Sequence, residues 1–207
     1  ETILNLKKDA LVGKIYLLNA GEKGRCALEG CEVVDVPSLK NTEAMKKIAE
    51  RADADFTLLY TKESKLEWVH FALERMVNIA EDSGAAMIYA DHFNVIDGVR
   101  SFAPVIDYQM GSLRDDFDFG SVLLYRTSAF KEAVSRMNIN YQFAALYDLR
   151  LKVSQKGVLE HMNEYLYYEV EMDTRKSGEK LFDYVDPKNR AVQIEMEQAC
   201  TEHLKEI

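Results

Sequence analysis

The sequence predicts an α/β fold, a mostly parallel mixed sheet flanked by helices. Three observations carry that expectation. Over the first ninety residues the apolar positions alternate between a helical period of three to four and short strand-like runs. The connections between those segments are short, as crossovers on one sheet require. Finally, 207 residues with 47% hydrophobic and 29% charged side chains, and only three prolines, are ordinary globular usage with length enough for one core.

Ile3, Leu6, Ala10 and Leu11 fall at helical spacing and open the chain. Residues 15–18 form a short strand closed by Asn19, Ala20 and Gly21, and residues 33–36 a second one ended by Pro37 and Ser38. Ala44, Met45, Ile48, Ala49 and Ala52 trace one face of a helix that Asn41 or Thr42 caps. Residues 56–60 are a continuous apolar run, read as a strand buried on both faces. Ser64 and Glu67 have capping-box spacing, which predicts a helix over 65–82 with Leu66, Val69, Leu73, Met76, Val77 and Ala80 inward and Gly84 at its end. Residues 86–90 are the next strand, broken by Asp91.

From residue 91 to about 118 the pattern loosens into a hairpin around Asp97 and Gly98 and an acidic, irregular stretch. Residues 122–125 return to strand. A helix follows with Phe130, Ala133, Val134 and Met137, then another through Leu146, Leu149, Leu151 and Val153 that Gly157 ends. Residues 161–170 are extended and 175–180 are a polar loop. Asp186 as cap and Pro187 in the first turn start a terminal amphipathic helix through Val192, Met196, Ala199, His203 and Leu204.

Twenty-six basic against thirty-five acidic residues leave a net charge of −9, which argues against a nucleic-acid groove or an anionic membrane surface. Small molecules or proteins are the expected partners. Three cysteines, Cys26, Cys31 and Cys200, with no signal peptide or membrane-spanning run, read as a reduced, cytoplasmic chain. Cys26 and Cys31 lack a nearby histidine and read as packed thiols rather than a metal pair. No P-loop, G-x-G-x-x-G or G-x-S-x-G motif is present.

Ligands of open parallel sheets bind beyond the carboxyl ends of the strands. There the sequence places Asn19, Ala20 and Gly21, then Thr61, Lys62 and Glu63, then Asp91 and His92, a set suited to a polar ligand or one bridged by a divalent cation. A second constellation runs from Asp107, Tyr108 and Gln109 through Ser112 to Gly120 and sets Arg114, Asp115, Asp116 and Asp118 among Phe117 and Phe119; it reads either as a site for a general base or sugar hydroxyls, or as a solvated acidic loop anchored by its rings. Asp148 lies in the first turns of its helix, where the dipole alone would explain a carboxylate. Arg175, Lys176 and Lys180 form a basic loop able to close on phosphates.

The order of these features resembles the family-2 glycosyltransferases of the GT-A fold over nearly the whole chain. The strand over 56–60, the segment holding Ala72, Leu73, Glu74 and Arg75, the strand running into Tyr89, Ala90 and Asp91, the hairpin, the Arg126, Thr127, Ser128 helix start and the Tyr147, Asp148, Leu149, Arg150 stretch occur in that family's order. The resemblance implies a GT-A-like fold without the family's opening strand, and hence one domain over 1–207 cut from a longer chain. It also implies transfer of a sugar from a nucleotide diphosphate donor to a hydroxyl, with inversion, in polysaccharide or glycan synthesis.

By the same resemblance Asp115, Asp116, Asp118 or Asp148 are the catalytic carboxylates. Asn19, Lys62, Asp91, Arg114, Arg175 and Lys176 contact the nucleotide sugar, and Glu63, Asp91 and His92 hold a manganese or magnesium ion. The expected partners are a nucleotide-sugar donor and a glycan or lipid-linked acceptor. Tyr165, Leu166, Tyr167 and Tyr168 and the last helix offer apolar surface for internal packing or for a homodimer. Two departures stand out: Thr61, Lys62 and Glu63 replace the family's Asp-x-Asp motif, and Ala145 and Leu146 stand where an acidic pair is usual. They support the alternative of a degenerate, non-catalytic interaction or regulatory domain.

Overall fold

The computed structural model describes residues 1–21, 29–171 and 190–207. Cys26, the 175–180 loop with Arg175 and Lys176, and the Asp186 and Pro187 helix start lie outside the described residues. The elements run α1 (Thr2–Leu6), β1 (Tyr16–Asn19), β2 (Glu32–Asp35), α2 (Thr42–Arg51), β3 (Phe56–Tyr60), β4 (Lys65–Trp68), α3 (Ala72–Ser83), β5 (Met87–Ile96), β6 (Val99–Ala103), β7 (Val122–Arg126), α4 (Thr127–Ser135), α5 (Ala145–Ser154), β8 (Leu159–Glu171) and α6 (Arg190–Glu206).

The α/β class and the mixed, helix-flanked sheet stand. Strands pair in the order β3-β7-β5-β8-β4, with β6 on the extended end of β5, while β1 and β2 form a separate parallel pair. Only β5–β8 is parallel in the larger sheet; β3–β7, β7–β5, β5–β6 and β8–β4 are antiparallel. Antiparallel pairing therefore dominates, because the hairpin strand β6 and the short strands β4 and β7 all run against their neighbours.

Three local expectations are corrected. Residues 65–68 are a strand, not the first turn of a helix. The Ser64 hydroxyl bonds Tyr60 Oη at 2.8 Å instead of capping, and Lys65, Leu66, Glu67 and Trp68 pair with residues 167–170 of β8. Period two wins because Leu66 alone of these four is fully buried. Helix α3 begins only after Phe71, whose left-handed φ of 61° turns the chain. It ends where expected, at Gly84 with φ 66°. Strand β3 is an edge strand paired only with β7, and all its residues are half-buried, so its apolar run does not mark burial on both faces.

Strand β5 does not stop at Asp91. It continues to Ile96, and its ladder with β8 slips at Ala90/Asp91 and again at Asp91/His92. Such irregularities bend a strand and re-aim its side chains. Asp97 (φ 51°) and Gly98 (φ 76°) then make the two-residue turn into β6, both with the positive φ that a tight right-twisted hairpin needs.

The core splits across the sheet by strand alternation. Met87 and Tyr89 of β5 face α2, α4 and α5 with Met45, Phe130 and Leu149; Ile88 and Ala90 face α3 with Met76 and Ala80. Fully burying a side chain such as Phe130 or Met76 contributes about 1.5–3 kcal/mol. Helix α6 docks on α5 through Ala199 against Leu151, Tyr147 and Tyr141.

Candidate functional site

Strands β3 and β5 both run antiparallel to β7, and β8 runs parallel to β5, so all three send their carboxyl ends to one edge of the sheet. Polar side chains gather there, on both faces. On the α2/α4/α5 face, Asp91 is buried and accepts the Val105 N–H at 2.8 Å. His161 Nε2 lies 3.0 Å from the same Asp91 oxygen, and His161 Nδ1 lies 2.7 Å from Asp107 Oδ1. Both nitrogens donate only when the ring carries two protons; a neutral ring donates to one carboxylate at a time. The imidazole stacks on Tyr89 at 5.0 Å. Tyr89 in turn donates to Ile106 O at 2.9 Å and accepts from the Tyr108 N–H at 2.7 Å, fixing the segment that carries Asp107. Burial pushes the Tyr89 phenol up to about 12, so it stays a neutral donor.

Of the three linked groups only Asp107 reaches solvent. Its side chain is 88% exposed against 2% for Asp91 and 6% for His161. The arrangement is thus an exposed carboxylate aimed by a buried imidazole, itself oriented by a buried carboxylate. That geometry suits a general base.

On the opposite face, the carboxylate of Glu169 is wholly buried and forms an ion pair with Lys62 from the loop after β3. His92 Nε2 is 3.5 Å from the other oxygen of Glu169, which has no hydrogen-bond partner. His92 stacks on Tyr167 at 5.1 Å, and the Tyr167 hydroxyl accepts the Ser121 N–H at 3.0 Å. Gly120, with φ 72°, brings the backbone against this hydroxyl; a Cβ there would lie 2.2 Å from it. The Lys62 side chain is 42% exposed, and its ammonium contacts the buried Glu169 carboxylate.

The remaining expected site residues are dispersed. Asn19 ends β1 and donates to Asp35 Oδ1 at 2.8 Å. Glu63 is exposed on the loop after β3. Asp91 and His92 point to opposite faces of β5, so Glu63, Asp91 and His92 do not form one ligand set. Among the described residues no three His, Cys, Asp or Glu side chains converge to hold a metal ion. Arg114 and Asp116 pair through two 2.9 Å bonds, both exposed, and Asp118 accepts the Gly120 N–H at 2.8 Å. Asp115 is exposed too, so these carboxylates are solvated.

Phe117 and Phe119 pack at 4.4 Å and anchor that loop, which buried Arg150 pins from α5 through Ser112 O at 2.7 Å and Arg114 O at 2.6 Å. Asp148 lies elsewhere, under α6, with Lys152 Nζ 3.5 Å away and its carboxyl pushed up by burial. Two cavities are likewise remote from the strand ends: about 40 Å³ between α5 and α6 beside Asp148, and about 440 Å³ between α1 and the start of β1.

No family model and no curated protein matches this chain. Among solved structures it is similar to S. aureus TarS 1-349, with a TM-score of 0.54 and 9% identity over 76% of this chain and 51% of that one. The fold is GT-A-like. The chain spans about half the length of that structure. No helix among the described residues is long and apolar enough to cross a membrane.

Sequence reasoning missed His161, Tyr167 and Glu169, all on β8. One signal was available: Tyr167 and Glu169 are two apart on a strand, so an inward Tyr167 carries Glu169 inward with it. A charged residue at an inward strand position is the kind of buried polar group that needs a partner.

Proposed function

We propose that this chain is a glycosyltransferase domain that moves a sugar from a nucleoside diphosphate donor to a hydroxyl acceptor in glycan or polysaccharide synthesis. The observation that carries this reading is the Asp91–His161–Asp107 chain at the carboxyl edge of β5 in a GT-A-like fold. The parallel pair β5 and β8 runs toward that edge, and ligands of parallel strands bind beyond their carboxyl ends.

In the proposed reaction the acceptor hydroxyl gives its proton to the Asp107 carboxylate as its oxygen bonds to the anomeric carbon. The bond from that carbon to the diphosphate oxygen breaks, and its electron pair leaves with the phosphate. His161 and Asp91 position the base. Lys62 meets the diphosphate charge as a point charge, because the dispersed Glu63, Asp91 and His92 do not form a metal cage. The single displacement implies inversion at the anomeric carbon.

Calorimetric titration with uridine and guanosine diphosphates, with and without manganese, tests the donor half. Binding of at least one is expected, weakened about tenfold or more by Lys62→Ala made in a Glu169→Gln background. No heat from any diphosphate sinks the reading. Asp107→Asn should then abolish sugar transfer while donor binding persists.

A further inference from the structure

Beyond Asp91, β5 runs on between β6 and β8, which also pairs with β4, and one face of these strands is aromatic. Phe93 stacks on Tyr168 at 4.7 Å with planes 16° apart, and packs against Tyr165 at 5.0 Å and Phe102 at 5.4 Å. Phe102 also meets Tyr165 edge-on at 5.0 Å, so the four rings form one continuous cluster across three strands. Arg100 lies 5.0 Å over the Phe93 ring. Phe102 remains 68% exposed. An exposed ring costs hydration without any gain from burial, and contiguous apolar patches of this kind mark binding surfaces.

Register places the cluster beside the proposed base. Asp91 is opposite Tyr165 in the β5–β8 ladder, and Phe93, two residues on, shares the Asp91 face. The aromatic surface therefore continues directly from the Asp91–His161–Asp107 chain. We infer that this face is the acceptor subsite and that it takes a saccharide, whose sugar ring lies with its C–H face on Phe102 and Tyr165 and a hydroxyl toward Asp107. This rests on the transferase reading above.

Chemistry favours a saccharide over a purely aliphatic chain. A pyranose has one face of C–H groups and a rim of hydroxyls; its C–H groups meet the negative face of an aromatic ring while the rim needs hydrogen-bond partners. The Tyr165 and Tyr168 hydroxyls bond no described residue, which leaves polar tips next to apolar faces. Arg100 adds donors at the margin. An acyl chain would use the rings but none of these polar groups.

The test applies the full chain to an array of immobilised bacterial surface polysaccharides and defined hexose and N-acetylhexosamine oligosaccharides. At least one glycan should be retained, with half-saturation weakened tenfold or more by Phe102→Ala and by Tyr165→Ala and kept by Phe102→Trp. Phe102 is largely exposed, so its removal leaves the fold intact, which circular dichroism checks. Retention of no glycan, or retention indifferent to both alanine variants, overturns the inference. A dimer in sedimentation that Phe102→Ala converts to monomer also overturns it, since the surface then serves a second copy. Uridine and guanosine diphosphate calorimetry on the same samples separates the two claims. Ring-dependent glycan binding without diphosphate binding defeats the transferase reading alone, and diphosphate binding with ring-indifferent glycan retention defeats the acceptor subsite alone.

Discussion

Lys62 and Glu169 form an ion pair whose two side chains sit in different media: that of Lys62 is 42% exposed and that of Glu169 fully buried. The second Glu169 oxygen has no hydrogen-bond partner. A buried charge stripped of its partner destabilises far more than the intact pair stabilises. Lys62→Ala should therefore cost about 3 kcal/mol, at the low end for a broken buried pair because Lys62 is partly solvated. Adding Glu169→Gln removes the stranded charge and should restore most of that loss. Urea unfolding midpoints read both; equal costs for the single and double variants would rule the account out.

The α5–α6 contact should respond to pH in two opposite senses. Burial raises the Asp148 carboxyl above 3.8, although Lys152 pulls against it. A raised carboxylate contributes stability that is full below 3.8 and lost as pH rises through its folded value. Glu206 behaves in reverse: burial pushes it up, but hydrogen bonds from Lys152 and Gln155 outweigh that and hold it below 4.5. Its contribution is present above 4.5 and lost as pH falls through the folded value. Stability relative to wild type should thus improve for Asp148→Asn as pH is raised from 3.5 to 7, and deteriorate for Glu206→Gln over the same range. Urea titrations at several pH values give both slopes, and slopes of the same sign would contradict this assignment.

Helix α6 also holds the amino end of α5. Glu195 accepts the backbone N–H groups of Gln142 at 2.9 Å, Phe143 at 2.7 Å and Ala144 at 3.2 Å. These donors precede the first turn of α5 and have no partner within the helix. A charged acceptor for several of them is worth more than a neutral cap, so Glu195→Ala should lower stability by about 1–2 kcal/mol. Amide exchange at Phe143 and Ala144 should accelerate while the β5 core amides keep their protection relative to global unfolding. Unchanged exchange at both positions would show that the carboxylate is dispensable.

The elements that sequence exposed most clearly are those whose local signal and tertiary role agree. Asn41 caps α2 by accepting the Ala44 N–H at 2.9 Å, and Asp97 with Gly98 makes the hairpin turn. The failures come from tertiary override. Ser64 and Glu67 have capping spacing, but β8 offers residues 65–68 a ladder, and pairing outweighs a cap. Sequence placed Lys62 and Asp91 at strand ends, and both lie at the carboxyl edge of the sheet, on the loop after β3 and within β5. His161 was hidden because its partner Asp91 is 70 residues away, and the alternation that carries Glu169 inward with Tyr167 does not point to Lys62, 107 residues away.

The close approach of Gly120 to Tyr167 is open to a double-variant test. Gly120 needs its positive φ and its missing side chain together, since a Cβ would stand 2.2 Å from Tyr167 Oη. Gly120→Ala should cost about 2–3 kcal/mol, combining left-handed strain with the displaced phenol. Tyr167→Phe leaves the buried Ser121 N–H without its 3.0 Å acceptor and should cost about 1–2 kcal/mol. If both losses act through the same oxygen, they cannot add. In the double variant the alanine methyl meets no hydroxyl, and Ser121 is stranded once rather than twice. The cycle should show at least about 1 kcal/mol of compensation. Strict additivity in urea unfolding would mean that the glycine is required for its dihedral angle alone and that the Tyr167 hydroxyl does not set the approach of β7 to β8.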